Sequence, residues 1–157
     1  MAIKLEVNGT QKKLVLSGLL DENFNVVHAL GTQASELTGN IAVDCAAITR
    51  INSTGIKHWI LFFNGLRTQG VKFNFHRVSP VIVEQLNLIS NFSAGGEVVS
   101  VCLPYTCKDC GANLTFVQDH QQIKGIDLDS VSWVCTKCGN KHLEFDDIGE
   151  EYLHFWK

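Results

Sequence analysis

Four of the six cysteines fall into two matching units, Cys107-Lys108-Asp109-Cys110-Gly111 and Cys135-Thr136-Lys137-Cys138-Gly139. Two residues between cysteines let a tight turn aim both sulfurs at one point, and a glycine after the second lets the following N–H groups bend toward the thiolates. Two such turns complete a tetrahedron of sulfur, the closed coordination of structural zinc. Cys107, Cys110, Cys135 and Cys138 are therefore the expected ligands of one Zn2+ ion. Its role is structural, because four thiolates leave no open position for water. The 24 residues between Cys110 and Cys135 exceed the roughly 15–20 of common paired ribbons, and a longer loop over Gln118–Asp129 absorbs the difference.

Other chemistries for these cysteines fit less well. A dithiol oxidoreductase places one Cys-x-x-Cys at a helix N-terminus after a strand, whereas the flanks here read as paired short strands, Leu114–Val117 and Val131–Val134. Disulfides require an oxidising compartment, and the first residues, Met1-Ala2-Ile3-Lys4-Leu5-Glu6, lack the apolar core of a secretory signal. His142 follows the second pair, but the thiol set is complete without it and a surface position is expected. Cys45 and Cys102 lie in apolar runs and read as buried free thiols.

The elements that must carry these groups follow from pattern. Asn8-Gly9 between Ile3–Val7 and Lys13–Leu16 signals a hairpin. Phe24, Val27, Leu30, Ala34 and Leu37 recur at helical steps, and Gly39-Asn40 ends that helix. Ile41–Cys45 has the character of a buried strand. Ile56, Trp59, Ile60, Phe63 and Leu66 form one face of a second helix that starts near Asn52-Ser53-Thr54 and stops at Gly70. Val71, Phe73 and Phe75 alternate as a half-buried strand, and Ser79-Pro80 opens a third helix ending near Ser90. Glu97–Leu103 reads as one further strand. The order β-β-α-β-α-β-α, with that last strand, implies an α/β fold built on a mixed sheet with helices packed on it.

Bulk properties set limits. The net charge is −3, so long-range electrostatics favour neither nucleic acid nor an anionic membrane. Residues 1–100 balance at +1, whereas 101–157, with five lysines, nine carboxylates and no arginine, balance at −4. That acidic end is ill suited to tracking phosphates. No apolar run approaches the roughly 20 residues of a membrane-spanning helix, so a soluble, cytoplasmic protein is expected. The segment 101–157 is too short for much core of its own, and zinc binding supplies roughly 10 kcal/mol or more to such modules. The final Tyr152-Leu153-His154-Phe155-Trp156 is apolar for a chain end, and is expected to pack on the ribbon.

Three segments together resemble the STAS domain, named for sulfate transporters and anti-sigma factor antagonists. Leu16-Ser17-Gly18-Leu19-Leu20-Asp21 is similar to the family's strand and turn ending in Gly-x-Leu-Asp. Ile51-Asn52-Ser53-Thr54-Gly55-Ile56 is similar to its Ile-Asp-Ser-Thr-Gly-Leu at the second helix, and Gly70-Val71-Lys72-Phe73 with Ser79-Pro80 keeps its order. The resemblance covers residues 1 to about 100 and implies a STAS-like domain over 1–100, while the two cysteine units give a zinc ribbon with rubredoxin-like knuckles over 101–157. In the antagonist branch, a kinase that is also the anti-sigma factor phosphorylates the serine that matches Ser53, which releases the partner. Asn52 replaces the family's aspartate, and Lys57 stands where antagonists often carry glycine.

The resemblance thus implies a non-enzymatic signalling module. It would dock a regulatory protein, a kinase or anti-sigma factor, through Ser53 and a surface formed by Asp21, Asn52, Thr54 and Lys57, with phosphate at Ser53 as the switch. Helix N-termini accommodate phosphate through free N–H groups and the positive dipole end. The other reading is an unphosphorylated scaffold or transport-complex subunit with the same fold. A small-ligand role has less support, because no glycine-rich phosphate loop is present.

Overall fold

The computed structural model describes residues 1–157. Strands β1 (Ala2–Asn8) and β2 (Gln11–Leu20) form an antiparallel hairpin, and β2 continues in parallel to β3 (Asn40–Ile51), β4 (Lys72–His76) and β5 (Glu97–Val98). The sheet order is β1-β2-β3-β4-β5, a mixed sheet. Helices α1 (Val26–Leu30), α2 (Ser53–Thr68) and α3 (Pro80–Leu88) join the parallel strands, as parallel neighbours require. The fold is α/β, a mixed sheet flanked by helices.

Alternation along the strands separates two faces. Leu5, Leu14, Leu16, Ile41, Val43, Cys45, Phe73 and Phe75 are buried, and α2 packs on Phe73 and Phe75 through Trp59 and Phe63. Trp59 is the centre of that contact. Its ring lies 5.5 Å from Phe75 and 5.2 Å from Phe92, and its Nε1 donates to the Phe92 carbonyl at 3.0 Å. The opposite face is polar. One register row across the sheet reads Glu6, Lys13, Ala42, Asn74 and Glu97.

Beyond β5 the chain turns into a second, three-stranded antiparallel sheet of β6 (Ser100–Cys107), β7 (Asn113–Asp119) and β8 (Leu143–Phe145), in the order β7-β6-β8. Short helices α4 (His120–Ile123) and α5 (Gly149–Tyr152) follow β7 and β8. The start of β6 is tied to the first sheet: Val78 donates to the Ser100 carbonyl at 3.0 Å and Cys102 donates to the Val78 carbonyl at 2.9 Å. One apolar cluster of 35 buried residues runs from Leu5 through Val78 and Leu103 to Tyr152, so the two sheets share a continuous core.

Several local expectations are corrected. The hairpin turn is Gly9-Thr10, one residue later than Asn8-Gly9, because Asn8 pairs with Gln11. Gly9 has φ +63° and Thr10 is not in the left-handed region, so positive φ is needed only at the first central position. The first helix is short. Gly31, with φ +56°, closes α1, and a 3-10 turn over Gly31–Glu36 replaces the remaining α-turns while still burying Leu30 and Leu37. Val131–Val134 is not a strand. Both edges of β6 are taken by β7 and β8, and Trp133 instead packs from an irregular segment against Tyr105 and Phe116, at 5.6 and 4.9 Å. Glu97–Leu103 is divided between β5 and β6, in different sheets.

The chain end packs on the three-stranded sheet, as expected of the tail, with the Tyr152 ring 5.1 Å from Phe145, and it reaches the first sheet as well. Asn87 of α3 donates from Nδ2 to the Tyr152 carbonyl at 2.9 Å and accepts the Phe155 N–H at 2.8 Å, while Trp156 Nε1 donates to the Val98 carbonyl at 3.2 Å. The Tyr152 hydroxyl donates to the Cys102 carbonyl at 2.6 Å. The apolar tail therefore closes the seam between the sheets.

Candidate functional site

Cys107 is the last residue of β6, and Leu143, the first of β8, is its register partner. That pairing sets the two cysteine turns face to face. The four sulfurs all lie within 4.8 Å of one another, with 3.6 Å between Cys107 and Cys138 and 3.6 Å between Cys110 and Cys135. A metal–sulfur bond of about 2.3 Å fixes the edge of a regular tetrahedron of sulfur at about 3.8 Å. The thiols thus fit a structural metal site in number, size and donor chemistry.

The turns are built alike. Cys107 donates its N–H to the Ala112 carbonyl at 2.9 Å, and Cys135 donates to the Asn140 carbonyl at 2.8 Å. Gly111 returns its N–H to the Cys107 carbonyl at 2.8 Å, and Gly139 to the Cys135 carbonyl at 2.9 Å. One cysteine of each turn, Cys107 and Cys135, is buried, while Cys110 and Cys138 reach the surface. A cross-link from the Lys108 N–H to the His142 carbonyl at 2.8 Å holds the turns together. The His142 ring faces outward and meets the Asp109 carboxylate at 2.8 Å, so it supports the first turn and is not a ligand.

The electrostatics suit a cation. The Cys138 and Lys137 N–H groups hold the Cys135 thiol down to about 6. Although the Asn140 N–H lowers Cys138, local desolvation and the three neighbouring sulfurs push it up to about 12. Cys110 is raised despite the Ala112 N–H and the Cys138 sulfur, by desolvation and the Cys135 and Cys107 sulfurs. One thiolate is thus easy to form and the next are opposed by their neighbours' charge. A divalent ion removes that opposition.

The other expected residues gather at the end of β2 and the start of α2. Asn52 caps the helix by accepting the Gly55 N–H on Oδ1 at 2.8 Å, and its own N–H donates to the Leu20 carbonyl at 3.1 Å. Gly55 is indispensable to this approach, since a Cβ there would lie 2.1 Å from the Leu20 carbonyl oxygen. Ser53 and Thr54 occupy the first helical turn, exposed, and Lys57 is exposed one turn beyond Ser53. Asp21 follows Leu20 directly, and its carboxylate accepts the Asn23 N–H at 2.9 Å and so supports the turn into α1. The five residues are neighbours around one helix start.

One polar cluster went unread in the sequence. Asp44 lies on the polar face of β3, 2% exposed, and shares one carboxylate oxygen between the Arg77 guanidinium and the Lys13 ammonium, the latter at 3.2 Å. Burial pushes its carboxyl up, but the Arg77 hydrogen bond, the Ala46 N–H and Lys13 outweigh that and hold it below its ordinary range. Arg77 adopts φ +48° to make this contact while its N–H donates to Ser100 Oγ at 2.8 Å. The signal was present: a lone carboxylate inside the apolar run Ile41–Cys45 needs a paired cation. Cys45 and Cys102 are buried free thiols, both raised chiefly by burial, Cys102 to about 11.

No helix is long and apolar enough to cross a membrane. No family model matches the chain, and no curated protein matches it. Among solved structures, one described as "Crystal Structure Analysis of Mglu" is similar over 47% of this chain and 19% of its own, at 20% identity and a TM-score of 0.39. That likeness spans about a fifth of the other chain and carries nothing about function.

Proposed function

We propose that the protein is a non-enzymatic, cytoplasmic signalling module of the STAS type, similar to anti-sigma factor antagonists, whose cysteine turns hold a structural Zn2+ as a ribbon. The observation that carries the docking half is the position of Ser53. Asn52, not Ser53, supplies the side-chain cap of α2, so capping does not account for the serine. Its exposure at the first helical position makes it accessible to a kinase, and a phosphate there meets free helix N–H groups. Lys57 stands one turn on as a counter-charge, while Asp21 and Thr54 border the same surface. Leu61, a further turn along and 60% exposed, adds apolar contact for a protein partner. Phosphate adds about −1.5 to −2 charges, enough to change the docking of a kinase or anti-sigma factor-like protein.

The zinc assignment rests on four thiolates at tetrahedral spacing, which is the donor set of structural zinc sites. The scaffold reading has its own support. The Glu22 carboxylate accepts from Asn52 Nδ2 at 3.4 Å and adds negative charge where the phosphate would sit. Mass spectrometry of the protein isolated from its native cells tests the switch, with phosphate expected at Ser53. Ser53→Ala and Ser53→Asp are then expected to change partner retention in opposite directions. Equal retention removes the switch and leaves the unphosphorylated scaffold.

A further inference from the structure

Strand β1 is the edge of the five-stranded sheet. It runs seven residues, Ala2–Asn8, in unbroken register with β2, and has no proline or bulge to blunt it. Long edges of this kind are open to pairing unless something covers them. Because the hairpin turn has two residues, Asn8 and Gln11 exchange the closing pair of hydrogen bonds. Alternation along an antiparallel pair then commits the backbone groups of Lys4 and Glu6 to β2 and points those of Ile3, Leu5 and Val7 outward. Val7 is an apolar side chain left 44% exposed at that edge.

The side chains around Leu5 are self-complementary. We infer that β1 pairs antiparallel with β1 of a second copy of this chain about a two-fold axis at Leu5, so that the two sheets become one. In that register Leu5 exchanges hydrogen bonds with Leu5 of the second copy, and Ile3 does so with Val7 on either side. Every outward N–H and carbonyl from Ile3 to Val7 finds a partner, and Ile3 covers the exposed Val7. Lys4 stands directly opposite Glu6 of the second copy, on the polar face, at a non-hydrogen-bonded pair where side chains come closest.

Charge selects this register over its neighbours. A slip of two residues one way sets Lys4 opposite Lys4, and the other way Glu6 opposite Glu6, which is destabilising in either case. A slip of one residue turns outward groups against committed ones and exchanges the faces. Within one chain Lys4 and Glu6 meet only at 3.8 Å, with side chains 74% and 49% exposed, so both are available.

Sedimentation equilibrium of the metal-loaded 157-residue chain at low salt tests this. A dimer of twice the 17.4 kDa chain mass is expected. Lys4→Glu and Glu6→Lys, both at exposed positions, are each expected to weaken it about tenfold, because each turns two attractive pairs repulsive. An equal mixture of the two variants restores opposite charges at every pair and recovers the dimer. Hydrogen exchange should show the Ile3, Leu5 and Val7 amides gaining protection with concentration while Lys4 and Glu6 stay unchanged. A monomer at all concentrations, a dimer indifferent to both variants, or a mixture no tighter than either variant overturns the proposal.

Discussion

Gly111 and Gly139 hold the same place in the two cysteine turns: φ is +73° and +77°, and each donates its N–H to the carbonyl of its turn's first cysteine. A Cβ on either would meet nothing within 4 Å, so only the backbone conformation selects glycine. Gly111→Ala and Gly139→Ala should each cost roughly 1–2 kcal/mol through left-handed strain. Titration with a competing chelator should show about tenfold weaker metal retention for each, with Asn tolerated better than Ala.

Gly55 is a glycine for the opposite reason. Its φ is ordinary, but the Leu20 carbonyl occupies the space a side chain would need. Gly55→Ala should push the start of α2 away from β2 and cost roughly 3 kcal/mol, since backbone cannot yield as a flexible side chain does. Urea unfolding measures it, and a change below that seen for Gly111→Ala would contradict the close approach.

How much of this was legible in the sequence depends on whether the determinant was local. The gathering of Cys107, Cys110, Cys135 and Cys138 and a helix start within Asn52-Ser53-Thr54 were readable because a cysteine turn and a helix cap are set by residues two or three apart. The hairpin was located within one residue, its register depending on whether Asn8 or Thr10 shares the turn with Gly9. The second ribbon strand was misplaced because Leu143–Phe145 is a strand only by virtue of the free edge at Tyr105–Cys107, a relation across some 40 residues of chain. The docking of the tail on Asn87 and the pairing of Asp44 with Arg77 and Lys13 are likewise tertiary facts.

Acid should weaken the fold through Asp44. Its folded carboxyl titrates below the unfolded value of about 3.9, so its contribution is complete above that value and is lost as pH falls through the lower, folded one. Comparing wild type with Asp44→Asn under equal metal loading, the variant should be less stable at neutral pH, and the difference should shrink between about pH 4 and the acid limit. A constant difference across that range would mean that the ion pairs add nothing.

Asn87 makes two of the tail contacts with one carboxamide. Asn87→Ala should cost about 1–2 kcal/mol and free the segment around Phe155 and Trp156. Limited proteolysis should then cleave near Leu153, and Trp156 should become more accessible to a quencher. An unchanged cleavage pattern would show that Tyr152 and Trp156 hold the tail unaided.

The convergence of four sulfurs on one ion is tested most directly by X-ray absorption on protein purified without added metal, together with its metal content. One zinc per chain is predicted, with four sulfur neighbours at about 2.3 Å and no nitrogen. Protein that carries no metal yet keeps its full fold, or a shell in which an imidazole replaces one of Cys107, Cys110, Cys135 and Cys138, would contradict it.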